Sequence, residues 1–351
     1  MRALHALTGF VILLHMAGLG QAALIQNTLN DFTLYAGNKL VTGKNITING
    51  QSGSASDMHL GRSGQINGDL FTHGNLKIGN DTRVAGNVIS GNDLTIGTRS
   101  TTLSASGGQD VKVNKHAIVD GSLAYGYDVQ IHPQAHIRYN LTKDLDTWHL
   151  TPASSQLPNF PAKVAQDGFV LRRDNELTLS PGNYGSVRVA ANGTLFLAPG
   201  EYDFKNISLG ANAQIVTDSA DDSITVNISG NLRSSRGASL FSADETLLTF
   251  NVGRNVSVGN GNKVFAMLNS ANNMKIGNGS IITGSFVAGN NLRLGKNLEV
   301  NSVKTDTIPE PTTLALLSGG LLSILARRRN LSRGRARSRF CNVRIFGTMW
   351  I

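Results

Sequence analysis

Apolar residues return along this chain every 17 or 18 positions, and within each unit the constrained positions lie an even number of residues apart. Five successive units open on Met58 and Leu60, Leu76 and Ile78, Leu94 and Ile96, Val111 and Val113, and Val129 and Ile131. Three more open on Val256 and Val258, Met274 and Ile276, and Leu292 and Leu294. Eight residues after the opening position stand Ile66, Val84, Val119, Ile137, Val264, Ile282 and Val300; twelve after it stand Leu70, Val88, Leu123, Leu141, Leu268 and Phe286. The tenth is usually small: Gly68, Gly86, Gly121, Ala266, Gly284. The Leu94 unit departs, with Thr102 and Ser106 at the apolar places and Leu103 one residue off.

Even offsets put side chains on one face of an extended chain. Between the apolar segments stand Gly and Asn ("HGN", "SGN", "AGNN"), the residues that tolerate the positive φ of tight corners. The simplest architecture with these properties is a right-handed parallel β-helix, an all-β solenoid in which each unit makes three short strands and like residues stack as ladders. With rungs ~4.8 Å apart, 13 to 16 of them make a rod of roughly 60–75 Å. The period-2 pattern and the 39 glycines exclude a helical repeat.

The period loosens in the middle, where Val187/Leu195 and Ile207/Ile215 keep the eight-residue offset in longer rungs. Leu141–Arg173 holds Pro152, Pro158 and Pro161, fits no rung, and reads as an inserted loop. The expected organisation is therefore a leader at 1–22, regular rungs at 23–140, an irregular insertion at 141–180, further β-helix at 181–307, a sorting segment at 308–329 and an Arg-rich tail at 330–351. "SPGNYGSVRVAANGTLFLAPGEYDF" (Ser180–Phe204) resembles a recurring segment of exported β-helical surface proteins. The repeat as a whole is similar to that of bactofilins, filament-forming proteins with short triangular rungs.

The formal charge of +9 does not point to nucleic acid. Arg2 and the eight arginines after residue 326 lie outside Ala23–Thr307, where 23 basic residues face 22 acidic ones. A nearly neutral body has little electrostatic attraction for DNA or RNA. The one cysteine, Cys341, lies in the basic tail, so the body has neither a disulfide framework nor a cysteine metal site.

Both ends read as addresses. "MRALHALTGFVILLHMAGLGQAALIQ" has a positive start at Arg2, an apolar Leu7–Leu19 and a small-x-small site at Gly20-Gln21-Ala22, the layout of a secretory signal peptide. Near the other end, Thr312–Ala326 is an uncharged run of 15 residues, or 19 counted from Ile308, and it stops at Arg327, Arg328 and Arg329. That length suits a thin or tilted membrane span, with the arginines kept cytoplasmic. Together with Pro309, Glu310 and Pro311, this segment resembles the PEP-CTERM sorting signal: a Pro-Glu-Pro box, an apolar helix and an Arg cluster. The resemblance implies a Gram-negative bacterium, a membrane-anchored precursor, cleavage near the box by an exosortase, and delivery to the cell surface or exopolysaccharide matrix. Proline disfavours helix in the residue before it, which keeps such a box extended. The tail "NLSRGRARSRFCNVRIFGTMWI" departs from the usual ending of such signals and reads as a read-through.

Many β-helices cleave polysaccharides, so an enzyme is the alternative. A lyase needs a base and charge stabilisation, often Ca²⁺ on several carboxylates, and a hydrolase needs paired carboxylates on one outer face. The outward position next to the opening residue reads His59, Lys77, Thr95, Lys112, Gln130, then Ser257, Lys275, Arg293, with no acid. Asp69, Asp81, Asp93, Asp110, Asp120 and Asp128 lie at or beside corners, where such residues bond the backbone. His132 and His136 flank a turn and read as surface histidines, and Asp221-Asp222 as a solvated loop. No catalytic residue, metal or cofactor is assigned. The expectation is an exported structural or adhesive component of the envelope or matrix. Lys77, Lys112, Lys275 and Arg293 form a basic stripe that reads either as a solvated face or as a contact for an anionic exopolysaccharide, and self-association through the rod ends is a further expected contact.

Overall fold

The structure, a computed structural model, describes residues 31–143, 167–217, 223–242 and 248–302. The leader, the sorting segment, the tail, Asp221-Asp222 and most of the proline-containing stretch lie outside the described residues. Within them the fold is an all-β parallel solenoid of about 13 turns, with three flat faces per turn.

Face 1 carries the residues that open each unit. Leu76 lies between Met58 and Leu94, and Leu94 pairs with Val111, all in parallel register. Face 2 carries the eighth position, Ile66 beside Val84. Face 3 carries the twelfth, Leu70 beside Val88. Alternation sends these side chains inward, where Leu76, Leu94, Val111, Ile66 and Leu70 are all buried. Burying each contributes about 1.5–3 kcal/mol, and the ladders repeat that gain turn after turn.

Sequence order and stacking order differ. The first described strand, Leu34–Ala36, pairs on one side with Ser52–Ser54 and on the other with Phe286–Ala288, near the far end of the described chain. The same junction joins Lys39–Thr42 to Asn291–Leu294 on face 1 and Ile46–Asn49 to Leu298–Asn301 on face 2. Residues 31–143 thus climb from the middle of the stack to one end, and residues 167–302 run from the opposite end back to the middle. The later block stacks on the first rung of the earlier one and not on its last.

One corner follows a single rule. Every non-glycine residue with positive φ among the described residues lies in one column between faces 1 and 2: Asp174, Asn192, Asn212, Asn297, Asn45, Ser63, Asp81, Arg99 and His116. Gly237, Gly261 and Gly279 fill the same column. The left-handed residue donates its N–H to the next turn, as from Asn45 to Arg62 O and from Asp81 to Thr98 O. Asn and Asp recur there because their short polar side chains tolerate this conformation. Glycines two residues earlier meet a different demand: a Cβ on Gly79 would sit 2.5 Å from the Gly61 carbonyl carbon.

Two readings of the sequence need correction. The Leu94 unit is a regular rung, because Thr102 occupies the inward place between Val84 and Val119. Ala105 then pairs with Val88 and Leu123. The rung is one residue short between these strands, and so its last apolar position shifts. The stretch read as an irregular loop also contributes strands at Leu141–Lys143, Phe169–Leu171 and Glu176–Leu179.

Candidate functional site: a cationic column on face 1

Outward residues on face 1 form one continuous column. In stacking order it runs Val170, Arg188, Ser208, Arg233, Ser257, Lys275, Arg293, Val41, His59, Lys77, Thr95, Lys112, Gln130. The four stripe residues expected from sequence, Lys77, Lys112, Lys275 and Arg293, all belong to it. The junction sets the two pairs on one axis, Arg293 pairing with Val41 three rungs from Lys77. Arg188 and Arg233 were missed. They belong to the longer rungs where the period is loose, but the signal was present as an apolar-Arg pattern in "VRV" and "LRS".

The column holds cations and no acid, and its lysines and arginines are exposed. Among the described residues the ion pairs are Lys39–Asp57 at 4.0 Å, Arg99–Asp81 at 2.6 Å and Arg138–Asp120 at 3.1 Å, none of which engages the column. Within it His59 lies between Val41 and Lys77. Burial pushes its pKa below the ordinary value, Lys39 and Lys77 push it further down, and Asp57 opposes them.

A second column borders this one at the corner before face 1, and its chemistry changes at the junction. On one side it is Asn206, Asn231, Asn255, Asn273 and Asn291. The side-chain oxygens of Asn206, Asn231, Asn255 and Asn273 each accept the backbone N–H of the next member, at 2.9 Å for Asn231 N–H on Asn206 and 3.3 Å for Asn291 N–H on Asn273, while Asn291 Oδ1 accepts the Asn38 side-chain amide across the junction at 3.3 Å. On the other side it is Asp57, Asn75, Asp93, Asp110 and Asp128, where Asp57 caps Asn75 N–H at 3.1 Å and Asp93 caps that of Asp110 at 3.3 Å. Either residue performs the backbone job, but only Asp places negative charge beside the cations.

The other faces offer less. Face 3 points Tyr35, Phe71, Ile89 and Val287 outward, yet these are buried, with Phe32 packed 5.3 Å from Tyr35. Face 2 mixes exposed Leu103, Phe241 and Ile281 with polar groups. His132 caps a turn, its Nδ1 accepting the Gln134 N–H at 3.2 Å. Among the described residues no group of three His, Cys, Asp or Glu is placed to hold a metal.

The comparisons add the address. Residues 307–329 are a PEP-CTERM protein-sorting motif. This matches the box and arginines read from the sequence, Pro309 to Pro311 and Arg327 to Arg329. The motif implies an exported protein, a membrane-anchored precursor and processing by an exosortase. No curated protein matches the sequence. Among solved structures this chain is similar to an ice-binding protein from the Antarctic ascomycete Antarctomyces psychrotrophicus, at 13% identity and TM-score 0.40, covering 79% of this chain and 97% of that one. It is also similar to an ice-binding protein from an Antarctic biological consortium, at 11% identity and TM-score 0.38, covering 83% of this chain and 96% of that one.

Proposed function

We propose that the exported solenoid is a non-catalytic structural or adhesive component of the cell envelope or exopolysaccharide matrix, and that it holds an anionic polymer along face 1. The observation that carries this reading is the unbroken outward column with six cations and no carboxylate. A rigid ladder presents its charges already ordered, so a long polyanion makes many contacts without ordering the protein. Each contact is weak because it is exposed, and their number gives the binding.

The test is retention of the secreted protein on immobilised polygalacturonate and hyaluronan, with dextran as the neutral control. Binding to the anionic polymers that falls steeply between 50 and 200 mM salt is expected. Equal binding to dextran, or none to any polymer, overturns the reading. The same preparation is assayed for retention on ice; adsorption to ice without polyanion binding also overturns it.

A further inference from the structure

We infer that the half of face 1 built by residues 187–294 is the polymer site, and that it selects a linear glycan bearing one carboxylate per disaccharide, laid along the stack axis. This rests on the polyanion reading above and narrows it.

Spacing is the first argument. Going up this half, cations and hydroxyls alternate: Arg188, Ser208, Arg233, Ser257, Lys275, and then Arg293. Neighbouring rungs are ~4.8 Å apart, so Arg188, Arg233 and Lys275 recur about every 9.6 Å. An extended β-linked glycan advances by about one strand spacing per sugar. A carboxylate on alternate sugars then meets each of the three cations, while Ser208 and Ser257 face the uncharged sugars with groups that donate and accept hydrogen bonds. A glycan charged on every sugar would set two of six carboxylates, those opposite Ser208 and Ser257, against hydroxyls.

Flanking charge is the second argument. Beside this half runs the Asn ladder, which carries no charge, and the exposed Lys205 and Arg254 stand one residue further out. On the opposite corner both halves carry exposed cations, Arg236 and Lys296 here and Arg62 and Lys115 beyond the junction, so that corner does not distinguish them. Beyond the junction, Asp57, Asp93, Asp110 and Asp128 share rungs with His59, Thr95, Lys112 and Gln130, while Lys77 shares its rung with Asn75 and has Asp57 and Asp93 one rung to either side. Carboxylates this near lie within the Debye length of about 8 Å at physiological salt, so they offset Lys77 and Lys112 and repel an approaching polyanion. The two halves share the inward ladders of face 1, and along the corner before it one half is capped by Asn and the other chiefly by Asp.

The experiment compares two double variants of equal charge change in the secreted protein: Arg233→Gln with Lys275→Gln, and Lys77→Gln with Lys112→Gln. All four side chains are exposed, and unchanged circular dichroism checks the fold. Affinity is measured for hyaluronan, with one carboxylate per disaccharide, and for polygalacturonate, with one per sugar. The first pair is expected to weaken hyaluronan binding at least tenfold and the second less than twofold, with hyaluronan bound more tightly per carboxylate than polygalacturonate. Equal losses from both pairs, or preference for polygalacturonate, overturn this inference and leave the polyanion reading standing. Absence of binding by the unmodified protein overturns that reading itself.

Discussion

Asn45 donates its side-chain amide to Oδ1 of Asn297 over 2.9 Å, across 252 residues of chain. Asn49 does the same to Asn301, and Asn38 reaches Asn290 at 3.2 Å. These amides mark the seam at which the two halves of the solenoid meet. Closing so long a loop is entropically costly, and folds rich in distant contacts form slowly. Asn45 also holds φ at 56°, so its replacement tests two contributions at once. Asn45→Gly keeps the conformation and loses the amide bond, for a cost of about 1 kcal/mol. Asn45→Ala adds the strain of a left-handed alanine and should cost about 1 kcal/mol more. Denaturant titration of both variants measures the difference.

Thr102 offers a stabilising change. Its hydroxyl is buried without a hydrogen-bond partner, in a column where its neighbours are Val84 and Val119. Removing an unsatisfied buried hydroxyl while keeping the shape recovers a desolvation penalty of about 1–3 kcal/mol. Thr102→Val should raise the unfolding midpoint in denaturant with the slope unchanged. A fall in stability would mean that the hydroxyl has a partner.

His59 reports on the column directly. Its pKa lies below the ordinary value chiefly through burial, with Lys39 and Lys77 lowering it further. NMR titration should find it below about 6.5. Lys77→Gln should move it upward, because one repelling cation is gone. The sign for stability follows: the folded state favours neutral imidazole, so the contribution is whole above about pH 6.5 and is lost as pH falls through that value. His59→Gln should flatten this part of the stability profile.

At the end of the stack where residue 167 begins, Tyr184, Tyr202 and Phe204 stack, with Tyr184 and Phe204 centroids 5.3 Å apart. Buried Tyr202 directs its O–H toward the carbonyls of Ala198 at 2.7 Å and Leu179 at 2.9 Å. Burial, with Tyr184 nearby, raises its pKa to about 12. Since the folded value lies above the ordinary 10, this residue's contribution is complete below pH 10 and is lost as pH rises toward 12. Tyr202→Phe should cost about 1 kcal/mol at neutral pH. It should also remove the most alkaline step from the tyrosinate absorbance titration.

The ladders were legible because burial demands apolar residues at fixed even offsets, and Leu76, Leu94 and Val111 could be aligned by eye. The corners were legible because few residues accept positive φ. Stacking order was not legible: any rung of this repeat presents the same ladder above and below, so nothing local in Leu40 or Leu292 says that they are neighbours. Arg188 and Arg233 were hidden because longer rungs break the count, although each follows an inward apolar residue like the other members of the column. The change from Asn to Asp along one corner was visible in the letters. Its meaning depended on knowing that Asn206 to Asn291 and Asp57 to Asp128 occupy one column.

The arrangement of the face rests on the junction, and paired cysteines test it most directly. Val41 and Arg293 are outward partners in adjacent parallel strands, at a separation within the 4.4–6.8 Å Cα range of disulfides. Val41→Cys with Arg293→Cys should oxidise to an intramolecular disulfide that changes mobility on a non-reducing gel. A solenoid stacked in chain order would instead bring Gln130 against Val170, and Gln130→Cys with Val170→Cys would form the bond. Closure of the first pair alone is the predicted result; closure of the second pair with the first left reduced would contradict the account.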